Sequence, residues 1–89
     1  MKKLVSVEEV ENEGLVMLMA DEAVVTLFCM NYIYTGKLVG VNDSFVKLEN
    51  ASIVYETGSF SEKDWKDAQK LPNPVYVMTA LIESFSVLK

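Results

Sequence analysis

Met30-Asn31-Tyr32-Ile33-Tyr34-Thr35-Gly36-Lys37-Leu38-Val39-Gly40-Val41-Asn42-Asp43-Ser44-Phe45-Val46-Lys47-Leu48-Glu49-Asn50-Ala51 holds two strands, the turn that leads into them and the turn between them. Asn31 tolerates the left-handed backbone that a tight hairpin demands. It therefore marks the turn out of an upstream strand of β-branched and aromatic residues, Val24-Val25-Thr26-Leu27-Phe28, into Tyr32-Ile33-Tyr34-Thr35. Gly36 and Gly40 lie inside the strand that runs on to Val41. Glycine at such positions packs nothing and points to a bulge or a strong bend. Asn42-Asp43-Ser44 is the next turn. Phe45 to Tyr55 then reads as a third strand, with Phe45, Lys47 and Glu49 on one face and Val46, Leu48 and Asn50 on the other.

Outward from this block the signal stays mainly β. Thr57-Gly58-Ser59 ends the third strand, and Ser61 to Lys70 reads as a short polar helix capped by Ser61 and stopped by Pro72-Asn73-Pro74. Residues 61–74 are thus expected to form a helical insertion between the third and fourth strands. Val75 to Met78 is the fourth strand and Ala80 to Leu88 the fifth, meeting at a sharp corner near Thr79. Upstream, Ser6-Val7-Glu8-Glu9 has the form of a capping box. The apolar run Leu15 to Ala20 is too short and uniform for periodicity to separate helix from buried strand, and a helix within residues 6–20 is the expectation. The fold class is mainly β: an N-terminal helix, then a strongly bent, partly open five-stranded antiparallel barrel. Residues 1–89 form one domain, with an acidic helical segment over 1–22.

Composition removes several function classes. At 89 residues and 51% apolar, the chain is expected to fold around a single core and to share surface with a partner chain. It has no histidine and no arginine, so no histidine general base, triad or metal site is available. Cys29 has no second thiol for a disulfide or a zinc clamp and sits in the apolar run Leu27-Phe28-Cys29-Met30, which suits a buried structural thiol in a reduced, cytoplasmic setting. No metal or cofactor is expected. The longest apolar run is far short of a bilayer span, so no membrane association is expected. The net charge of −5 argues against a broad phosphate-binding surface. The carboxylates of the first 22 residues read as a solvated face rather than an acid and base pair, so the chain is not expected to be an enzyme.

The helix, the hairpin at Asn31, the bending glycine Gly36 and the turn Asp43 before the third strand resemble the Sm and Sm-like (LSm) family. Met30 to Ala51 looks like the first Sm motif, and Asp43-Ser44-Phe45-Val46-Lys47-Leu48 is similar to the bacterial RNA-chaperone branch. A weaker second motif lies in Val77-Met78-Thr79-Ala80-Leu81-Ile82. Thr57-Gly58-Ser59-Phe60 resembles the segment that leads into a helical insertion in small bacterial and phage Sm-like proteins.

The resemblance implies a homo-oligomeric ring of roughly five to seven subunits, the fourth strand of one pairing with the fifth of the next. Val75, Tyr76, Val77, Phe85 and Val87 would then form the subunit interface. It also implies single-stranded RNA held at Asp43, Ser44, Phe45, Met78 and Thr79, with Phe45 as a stacking face. Met78 stands where the family carries a basic residue, and thioether sulfur donates nothing to base or phosphate. An assembly scaffold that binds protein partners is the alternative. Bland roles compete at single residues: Phe45 as a core or interface residue, Asp43 as a turn residue bonding its own backbone, and Trp65 as a pin for the insertion or an exposed anchor.

Overall fold

The computed structural model describes residues 14–89; the proposed capping box at Ser6 and the acidic residues up to Glu13 lie outside them. The order is α1 (Leu15–Ala20), β1 (Val24–Cys29), β2 (Ile33–Val41), β3 (Phe45–Glu56), β4 (Asp67–Lys70), β5 (Val75–Met78), a 3-10 turn (Thr79–Leu81) and β6 (Ile82–Ser86). The fold is mainly β. One antiparallel sheet runs β4-β3-β2-β1-β6, with β5 also paired to β3, and it does not close on itself.

A six-residue helix is marginal in water on its own. α1 is held by packing: Leu15, Leu18 and Met19, one helical turn apart, lie against the core, while Val16 and Met17 face outward. Its exit is a Schellman turn, in which the Ala23 N–H donates to Leu18 O at 3.0 Å and the Glu22 N–H to Met19 O at 3.0 Å, with Glu22 at φ 55°. The Leu38 N–H donates to Ala23 O at 3.0 Å and ties this exit to β2.

Val25, Leu27, Leu38, Val46, Leu48, Ala51 and Val77 form the core, drawn from β1, β2, β3 and β5. Two bulges between β2 and β3 shape the sheet that carries them. Between the pairs Thr35↔Ser52 and Lys37↔Glu49, β2 has Gly36 alone while β3 has Asn50 and Ala51. Asn50 takes the left-handed conformation at φ 50°, which asparagine tolerates better than most residues. The second bulge places the extra residue, Val39, in β2, between Leu38↔Leu48 and Gly40↔Lys47. At the first, the strands approach so closely that a Cβ on Gly36 would lie 3.0 Å from both Ala51 Cα and Glu49 O.

The Asn50 bulge divides β3 into two halves with different partners. Phe45 to Leu48 pairs with β5, and Ser52 to Glu56 pairs with β4. This corrects the expected helix over Ser61–Lys70 and gives six strands among the described residues where five were expected. Residues 61–66 are turns and bends, and Asp67–Lys70 is a strand. A helix there would be polar on almost every side, with little to bury. Pairing with β3 instead satisfies N–H and C=O groups that the short β5 leaves open. Trp65 accordingly lies on a loop, half-buried, with its ring edge-on to Phe60 at 6.4 Å. The last strand begins at Ile82 rather than Ala80, because the corner is a 3-10 turn.

Gly36→Ala is expected to cost about 1–3 kcal/mol, since neither backbone at the contact can give way without disturbing the ladder. Urea unfolding should show a lower midpoint at unchanged slope. Gly40→Ala is the control: its Cβ would meet only the Lys47 side chain, at 3.4 Å, and it should be tolerated.

Candidate nucleic-acid interface

The β2–β3 turn is built by Asn42. Its Oδ1 accepts from the N–H of Ser44 at 2.7 Å and of Phe45 at 2.8 Å, and its own N–H donates to Phe45 O at 3.0 Å. The bonding of local backbone expected of Asp43 therefore belongs to its neighbour. The Asp43 carboxylate makes no hydrogen bond among the described residues and points to no fixed partner. Its backbone carbonyl is used instead: Thr79 Oγ1 donates to Asp43 O at 2.8 Å, and the Thr79 N–H donates to Ser44 O at 3.0 Å.

These two bonds join the turn to the β5–β6 corner, 36 residues further along the chain. Phe45 and Met78 are register partners at the same place. The structure thus places Asp43, Ser44, Phe45, Met78 and Thr79 along one seam. Below the seam the two faces of the β3–β5 pair divide cleanly. Val46 and Val77 are buried in the core, whereas Phe45, Lys47, Tyr76 and Met78 share the outer face. The Phe45 and Tyr76 rings meet edge to face at 5.3 Å, and Lys47 Nζ stands 5.6 Å from the Tyr76 ring.

Lys47 is the residue that the sequence reading left out of the site. The alternation that puts it on the face of Phe45 was the signal available; Tyr76 joins through β5 register, which is not written in the sequence. Among the interface candidates, Tyr76, Phe85 and Val87 are exposed, Val75 is half-buried, and Val77 is a core residue whose side chain faces inward.

A pocket of about 180 Å³ opens beside the seam, lined by Cys29, Met30, Asn31, Tyr32, Tyr34, Tyr76, Val77, Met78 and Leu81. Burial first, and the Glu83 carboxylate second, push the Cys29 thiol above its ordinary value. It stays protonated at neutral pH and is a poor nucleophile. Burial, then Cys29 and Tyr32, raises Tyr34 in the same way, so its hydroxyl remains a neutral donor. Among the described residues no helix is long and apolar enough to cross a membrane.

The chain matches no family model, no curated protein and no solved structure. The chemistry of the seam rests on its own residues.

The division of labour in the turn is testable by stability alone. Asn42→Ala removes the acceptor for two backbone N–H groups and should cost about 1 kcal/mol. Asp43→Ala, at an exposed carboxylate with no bond to lose, should stay within about 0.5 kcal/mol of the native protein. Parallel urea curves check both.

Proposed function

We propose that the chain is the subunit of an Sm-like homo-oligomeric ring that acts by binding, not by catalysis, and takes single-stranded RNA weakly along the seam. The observation that carries this reading is the meeting of the Asp43–Phe45 turn with Met78–Thr79. Two segments read separately as parts of one site lie within hydrogen-bond reach, fixed by Thr79.

The outer face next to the seam suits bases better than phosphates. Phe45 and Tyr76 offer rings on which any base can stack, and stacking contributes about 1–3 kcal/mol per base. The adjoining pocket has room for one planar ring, since a cavity of about 150 Å³ already holds benzene. Lys47 supplies one positive charge there, in part replacing the donor that Met78 lacks.

The ring rests on the free edges. Among the described residues β6 ends the sheet at one side, β4 and β5 lie end to end along the other, and β5 and β6 do not pair within the subunit. Unpaired edges invite pairing with a second copy, and a closed ring of such β5–β6 pairings satisfies both of these edges in every subunit. Phe85 and Val87, exposed in the single chain, would then be covered, while Tyr76 stays at the margin of the contact to face the seam. The exposed Met30, Tyr32, Met78 and Leu81 near the pocket favour a second reading, a scaffold ring that binds protein through this apolar surface.

Fluorescence titration with short uridine-rich and adenine-rich oligomers separates the readings. RNA binding should be weak, with a log–log salt slope near −0.7, the contribution of about one phosphate contact on a single strand. Lys47→Ala should flatten that slope, Phe45→Ala should weaken binding with the assembly intact, and Met78→Arg should tighten it. Absence of binding by the native protein, with no gain from Met78→Arg, would leave the scaffold reading in its place.

A further inference from the structure

Lys89 does not end in solvent. Its Nζ donates to Thr57 O at 2.8 Å and to Asp64 O at 2.9 Å, and it stands 4.6 Å from the centre of the Trp65 ring and 5.9 Å from that of Phe60. All four partners belong to the loop between β3 and β4. Two carbonyls and two aromatic rings set roughly at right angles, at 88°, make a chemically specific receptor for an ammonium. The carbonyls take two of its three N–H donors, and the rings attract its charge.

The loop holds this shape through its own bonds. The Lys66 N–H donates to Thr57 O at 3.3 Å, the Glu62 N–H donates to Ser59 O at 3.1 Å, and the Ser59 and Ser61 hydroxyls meet at 2.7 Å. Gly58 turns the chain at a positive φ of 68°, and a Cβ there would press on the Lys66 side chain at 3.1 Å. Lys66 is drawn away to Glu56 at 3.4 Å and so does not compete for the cage. The occupant is held more lightly than the receptor. Lys89 lies beyond the end of β6 at Ser86, outside the strand pairing, so withdrawing it disrupts no ladder pair.

We propose that the Thr57–Lys66 loop is a receptor for a primary ammonium, occupied by Lys89 and open to a lysine side chain of a partner peptide when Lys89 is withdrawn. Lys89 then acts as an intramolecular competitor whose tether sets its effective concentration, in the millimolar range for short flexible links. The site lies on the β3–β4 loop, apart from the seam, and holds whether or not the chain forms a ring or binds RNA.

Trp65 is the only tryptophan, so its emission reports directly on the cage. The probe is n-butylammonium chloride, with sodium chloride at equal ionic strength as reference, followed by a short peptide with one central lysine and its alanine twin. In Lys89→Ala the emission should change saturably with butylammonium, with an apparent Kd at least about tenfold lower than in the native protein, whose own lysine competes. The lysine peptide should reproduce the change and its alanine twin should not. Adding Phe60→Ala should remove most of the response. Lys89→Gln, which loses the charge but keeps much of the stem, should behave as Lys89→Ala does and carries the test if the alanine variant unfolds. Equal titrations in native and variant chains, or a variant response no larger than sodium chloride gives, would overturn the proposal.

Discussion

The contact between Gly36 and Ala51 is the constraint on which the rest of the structure depends. It brings β2 and β3 so close that a Cβ at position 36 would be crowded at 3.0 Å by Ala51 Cα and Glu49 O, and the Asn50 bulge accommodates the extra residue on β3. A twelve-residue strand is thereby divided into two segments, each with its own neighbour on the side away from β2. The first segment receives β5, and β5 delivers Thr79 to the carbonyls of Asp43 and Ser44. The second receives β4, and the loop before β4 forms the cage around Lys89. Both surfaces with distinctive chemistry are consequences of one bulge.

Much of this was legible in the sequence where a residue's own stereochemistry sets the outcome. Gly36 and the Asn42–Ser44 turn each restrict the backbone locally, and the alternation from Phe45 to Glu49 assigns the inner and outer faces without knowledge of the partners; the turn expected at Asn31 is present, but without the left-handed backbone expected of that residue. The insertion was misread because its outcome is not local. Asp-Ala-Gln-Lys is weak strand material, and only the unpaired second half of β3 makes pairing the better state. The left-handed Asn50 hid for a related reason: the alternation placed it with Val46 and Leu48, but the bulge shifts the inward role to Ala51, which is fully buried. Lys47 and Tyr76 became neighbours through cross-strand register, which composition and period do not reveal.

Charge then shapes what the seam is suited to bind. With a net charge of −5 and no arginine, the chain lacks the cations that give broad phosphate affinity. What it offers at the seam is rings, hydroxyls and one lysine, a set that favours base faces and edges over backbone. On the proposed reading the same apolar content would serve assembly, because exposed Met78, Leu81, Phe85 and Val87 lie on or beside β5 and β6. On the proposed reading binding and assembly would draw on one region, and a single subunit would present an incomplete site.

Native mass spectrometry of the purified full chain at micromolar concentration tests the central claim, that the β5 and β6 edges pair between copies and close a ring. The account predicts one dominant assembly with a fixed subunit number, roughly five to seven by analogy with symmetric ring assemblies. A monomer, or a continuous series of sizes from open-ended association, would contradict it.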